Sequence, residues 1–102
     1  MNDAHAPENC KTMIDVRHGV DALDRRIVAL LAERFAYMRA AARIKPERSE
    51  VRDEARKAKV IANAGEEAAR LGVPAEVIIA LWDVLVEGSI AYEMAEFDRL
   101  KG

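Results

Sequence analysis

Hydrophobic and polar positions alternate along this chain with the period of helices packed on helices. From Thr12 to Lys45 an apolar stripe recurs at Val16, Val20, Leu23, Ile27, Leu30 or Leu31, and Met38, in steps that alternate between four and three. This stretch holds no proline and one glycine, Gly19, and predicts one long helix over 12–45. Thr12 is placed to cap it, and Asp15 in its first turn complements the helix dipole. Pro46 stops it, because a residue before proline is driven out of the helical region.

The pattern resumes at Val51, Ala55, Ala58, Val60 or Ile61, Ala64, Ala68 and Leu71, predicting a second helix over 50–71 capped by Ser49. Its alanines allow close approach to the first helix. Leu71-Gly72-Val73-Pro74 marks its end, with a left-handed cap glycine followed by proline. A third helix is predicted over 75–100, with Ile78, Leu81, Trp82, Leu85, Ser89, Glu93 and Phe97 on its inner side. Residues 1–11 are polar and read as a flexible lead, and 12–102 as a single all-α domain of one long and two shorter helices.

Composition agrees. The chain is 51% hydrophobic but only 5% aromatic, so its apolar content is mainly aliphatic, which suits helices. A formal net charge of -2 gives no overall pull towards nucleic acid or an anionic membrane. The basic run from Arg43 to Lys59 is interleaved with Glu47, Glu50, Asp53 and Glu54 and reads as a mixed helix surface. The single cysteine, Cys10, excludes an intrachain disulfide, and the spacing of His5 and His18 suggests no metal site. There is neither a membrane-length apolar run nor a signal-peptide core, so the expected location is the cytoplasm.

Against that background three cations stand out on the first helix: Arg17, Arg34 and Lys45. Arg34 sits four residues after Leu30 and four before Met38, where an apolar residue is expected. A cation on a helix is ordinarily solvated, but one turned towards a core needs an anionic partner, either a protein carboxylate or a ligand. Arg34 and Lys45 are 11 residues apart, so they share one helix face at about 16 Å along the axis, a gap that suits a small dianion. Arg17 is offset from Arg34 by about 25 Å and about 100°. It could serve the same small ligand only from a second, antiparallel copy. On the third helix Ser89 and Glu93 lie one turn apart, where apolar residues would pack better. Ser89 reads equally as a small residue easing helix contact, and Glu93 as a boundary residue in solvent, where a lysine could pair with it.

Taken in order, Arg17, Leu23-Asp24, Leu30-Leu31-Ala32-Glu33-Arg34 and Lys45 resemble the first helix of the all-helical chorismate mutases. Val51-Arg52-Asp53 with Arg56 resembles the start of their second helix, and Ser89 with Glu93 the polar pair of their third. The resemblance spans about residues 13–100. It implies an intertwined homodimer with two shared active sites and a dianionic substrate, chorismate, rearranged to prephenate without a cofactor. It also implies site residues. Arg17 of one chain and Arg34 of the other would bind the substrate carboxylates, and Lys45 the ether oxygen of the breaking bond. Arg56 would lie near the substrate, Asp53 near its ring hydroxyl, Ser89 beside them, and Glu93 across the ether oxygen from Lys45. Such a rearrangement asks an enzyme to hold a compact conformer and stabilise charge on one oxygen, which positioned cations do.

Two positions depart from that pattern. Lys57 follows Arg56 where the family usually has a glutamate for the substrate hydroxyl, and Glu93 replaces the usual glutamine. Pro7-Glu8-Asn9-Cys10, with Tyr37, Ala41-Ala42-Arg43 and Lys45, is similar to the isochorismate-pyruvate lyase branch of the same fold, which eliminates pyruvate from isochorismate to give salicylate. Val51-Arg52-Asp53 favours the mutase over the lyase. A non-catalytic helical dimer is the remaining reading, and Arg34 argues against it, because a packing module gains nothing from a core-facing cation.

Overall fold

In the computed structural model residues 5–101 are described; the first four residues of the predicted lead lie outside them. The described residues form three helices, α1 (Met13–Ile44), α2 (Glu54–Arg70) and α3 (Ala75–Lys101), with 3-10 turns at Pro7–Asn9 and Arg48–Glu50. None of these helices is long and apolar enough to cross a membrane.

The start of α1 is fixed by reciprocal capping. Thr12 Oγ1 accepts the Asp15 N–H at 3.2 Å, while the Asp15 carboxylate accepts the N–H groups of Lys11 at 3.0 Å and Thr12 at 3.3 Å. Those bonds hold the Asp15 carboxyl below its ordinary range, the Lys11 N–H contributing most. Part of the stretch read as a flexible lead thus forms a 3-10 turn and a cap.

The second helix begins later than its apolar pattern suggests. Glu47 and Glu50 cap one another's backbone and close the turn over Arg48–Glu50, which takes up Ser49. The chain then extends through Asp53, whose carboxylate accepts the Arg56 N–H at 3.0 Å. Asp53, not Ser49, is therefore the cap of α2. The other end follows expectation: Gly72 has φ +75°, Val73 N–H donates to Ala68 O at 2.8 Å, and Gly72 N–H donates to Ala69 O at 3.2 Å.

The structure divides after Arg34 into two units. In the N-terminal unit the first half of α1 buries Ala22, whereas Val16, Val20, Leu23 and Ile27 remain exposed. Val16, Val20 and Leu23 line an open groove together with Pro7 and Cys10.

The C-terminal unit holds the main core: Ala42, Val51, Val86, Ile90 and Phe97, with Val60, Ile61, Trp82 and Met94 packed against it. Here the predicted inner side of α3 needs adjustment. Val86 and Ile90 are buried, while Leu81 is 54% exposed. Leu81 lies about 140° around the helix from Val86 and so faces away from that core. Leu71, at the end of the predicted stripe of α2, is likewise exposed. Between α2 and α3 the Ile79 side chain packs against Gly65, where an added Cβ would stand 3.0 Å from it.

Candidate active site

Helix α1 ends at Ile44, and the Lys45 N–H still donates to Ala41 O at 2.9 Å, so Lys45 leaves the helix in a defined direction. Its ammonium donates to Glu93 Oε2 at 2.7 Å. The Glu93 side chain is only 5% exposed and that of Lys45 29%, so this ion pair lies at the inner edge of the C-terminal unit. A carboxylate so far out of water requires a charged or hydrogen-bonded partner, and Lys45 supplies it. One turn earlier on α3, buried Ser89 donates from Oγ to Leu85 O at 2.7 Å. Ser89 and Glu93 are thus brought to one face, as their spacing predicts, and Lys45 is brought to Glu93.

Asp53 and Arg56 are joined through the backbone at the start of α2, with the Arg56 guanidinium exposed. The Asp53 carboxylate thereby has a structural task in addition to the one expected of it. In the N-terminal unit Arg17 is exposed and Arg34 half-buried.

A second cluster escapes the sequence reading. Arg52 grips the Glu87 carboxylate with two N–H groups, at 2.8 Å and 3.1 Å, and also reaches Glu54 at 2.9 Å. Lys57 Nζ donates to Glu87 Oε2 at 2.6 Å and lies 3.4 Å from Asp83. Arg52 first, then Lys57, lowers the Glu87 carboxyl to about 2. Glu87 in turn is the main cause of the raised values of Arg52 and Lys57. Lys57, the departure noted beside Arg56, is therefore tied to α3 by carboxylates. The available signal was Asp83 and Glu87, one helical turn apart on the same face of the third helix. Further along, Arg48 makes a paired contact with Asp98 at 2.8 Å and 3.1 Å, fixing the loop after Lys45 to the last turns of α3.

Lys45 thus stands at a helix end, seated on a buried carboxylate with a buried hydroxyl one turn away. Comparison with known proteins agrees with the fold. The model of the family described as chorismate mutase type II matches residues 16–94, from the exposed stripe of α1 through the Ser89–Glu93 pair. The chain belongs to that family. It is also similar to a protein named isochorismate pyruvate lyase from Pseudomonas aeruginosa, with 26% identity over 96 residues that cover 94% of this chain and 95% of that protein. An enzyme of the chorismate mutase family, all-α in fold, is the level at which family and structure coincide.

Proposed function

We propose that this protein is a chorismate mutase, converting chorismate to prephenate at sites shared between two copies of the chain. The observation that carries this reading is the Lys45–Glu93 pair beside Ser89 in a chain of this family. An ammonium has three donors and no acceptor, so Lys45 can keep Glu93 and still donate to an ether oxygen as negative charge builds there. Arg34 and the partner's Arg17 bind the two carboxylates, and Arg56 and Asp53 close the ring end. The substrate supplies all bonding electrons, so no nucleophile or cofactor takes part. Binding energy holds the compact conformer, and Lys45 acts chiefly in the transition state.

Isochorismate-pyruvate lyase is the second reading, supported by the similarity to the Pseudomonas aeruginosa protein along nearly its whole length. It uses the same cations on an isomeric dianion. The deciding experiment gives purified protein chorismate and isochorismate side by side. Prephenate from chorismate, with kcat lowered about 10²-fold in Lys45→Ala, is the expected result. Pyruvate from isochorismate without prephenate formation would replace the mutase by the lyase. Inertness towards both, with no thermal stabilisation by a dianionic transition-state mimic, would leave a helical module.

Sharing of the site is tested by mixing. An Arg17→Ala chain and an Arg34→Ala chain, each nearly inactive, should regain activity at one site of each mixed dimer. Confirmed mixed dimers without recovery would refute the role of Arg17 in the partner's site. Glu93→Gln should raise turnover at neutral pH, because glutamine keeps an acceptor for Lys45 and adds a donor towards the ether oxygen. An unchanged rate would mean that position 93 does not face the reacting oxygen.

A further inference from the structure

Lys45 is held at both ends by one stripe of α3. Glu93, Phe97 and Lys101 recur every four residues and so lie along one face of the helix. At one end of the stripe Glu93 takes the Lys45 ammonium. At the other, Lys101 Nζ donates to the Lys45 carbonyl. The ammonium of Lys101 also lies over the Phe97 ring, 4.7 Å from its centre. Phe97 is buried in the core, which gives the Lys101 head a fixed seat.

Each of these contacts answers a local need. The carbonyls of the last turn of a helix have no partner within it. The Lys45 carbonyl follows the end of α1, and the next residue, Pro46, directs the chain away. An ammonium placed there satisfies the carbonyl and complements the negative end of the helix dipole. Eight residues of helix separate Glu93 from Lys101, about 12 Å. Two anchors so far apart define the line of the Lys45 side chain, where a single anchor would leave it free to pivot.

We propose that Lys101 is a positioning residue for Lys45, setting the direction from which its ammonium approaches the substrate. The proposal rests on the mutase reading for its effect on turnover. In Lys101→Met the side chain still covers Phe97 but no longer donates. The expected result is a kcat about five- to tenfold lower with KM little changed, since small misplacements of a group that acts in the transition state are felt in rate. Lys101→Arg, which restores a cation and donors, should recover most of it. In a Lys45→Met background the same Lys101→Met change should have no further effect on kcat, because its route to the reaction is gone. An equal loss in both backgrounds would overturn the proposal, as would a wild-type kcat in folded Lys101→Met.

A second measurement needs no turnover. Amide hydrogen exchange at Glu50 and Val51, whose N–H groups close the turn after Lys45, should accelerate in Lys101→Met. Unchanged protection there would overturn the proposal whatever the enzyme acts on. Failure of the wild type to convert chorismate would count against the mutase reading alone and leave this measurement decisive.

Discussion

Val20 and Leu23 in the first half of α1, and Val86 and Ile90 in α3, hold equivalent places in helical stripes. The first two are about half exposed, at 50% and 48%, while the second two are buried. Periodicity states which face a helix turns to a neighbour and is silent on where the neighbour comes from. In the C-terminal unit the neighbours are in the same chain, because a tight turn at Gly72 folds α3 back on α2. In the N-terminal unit the described residues offer the stripe a short turn and an open groove. The proposed second copy would supply the missing surface, and would bring the partner's Arg17 with it.

The sharpest way to break this contrast is to damage each stripe in turn. Phe97→Ala should cost about 3–5 kcal/mol of unfolding free energy, read by denaturant titration, because it opens a cavity in a formed core. Leu23→Asp should act first on assembly. Sedimentation should show a shift from dimer to monomer, with a lower thermal midpoint that no longer depends on protein concentration. If Leu23→Asp changes neither assembly nor midpoint, the exposed stripe is a solvated surface and the comparison fails.

Smaller effects sharpen the account of the C-terminal unit. Asp53→Ala removes the cap of α2 and should cost about 1 kcal/mol. In the proposed site it should also raise KM for chorismate, whereas a pure cap would leave KM alone. Glu87 gives the mildest test, a pH dependence. Its carboxyl falls from an ordinary 4.5 to about 2 in the folded chain. The stabilisation from this shift is complete above pH 4.5 and disappears as pH falls through about 2. The thermal midpoint of the wild type should therefore exceed that of Glu87→Gln at neutral pH, and the gap should close as pH drops from 4.5 towards 2. A constant gap across that range would mean that Arg52 and Lys57 contribute nothing through charge. The Arg52 and Glu87 side chains are each 42% exposed, so the gap should also shrink in high salt.

What could be read from the sequence follows the same division. Helix number and most helix ends were legible, since Thr12, Pro46 and Gly72 act through their own backbone neighbourhoods. The start of α2 was not, because Ser49 and Asp53 are both competent caps and the Glu47–Glu50 bonds decide between them. The polar positions Ser89 and Glu93 were legible as gaps in an apolar pattern. The partners of Arg48, Arg52, Lys57 and Lys101 were not, since each is tens of residues away and chosen by how α3 lies against the loop and α2. Leu81 was misplaced because a stripe of mixed apolar residues does not fix its own centre to better than a residue or two.

Gly65 can be viewed as a fulcrum. The start of α2, with Arg56, lies nine residues up the helix from it, a lever arm of about 14 Å. A tilt of about 4° at this point would carry Arg56 about 1 Å sideways, a displacement that active sites register as large losses in rate. One methyl group at position 65 must displace Ile79 or tilt the arm. Where Ile79 does not give way, the side chain absent from Gly65 spares α2 a tilt whose displacement would be largest far from it, at Arg56 in the proposed site.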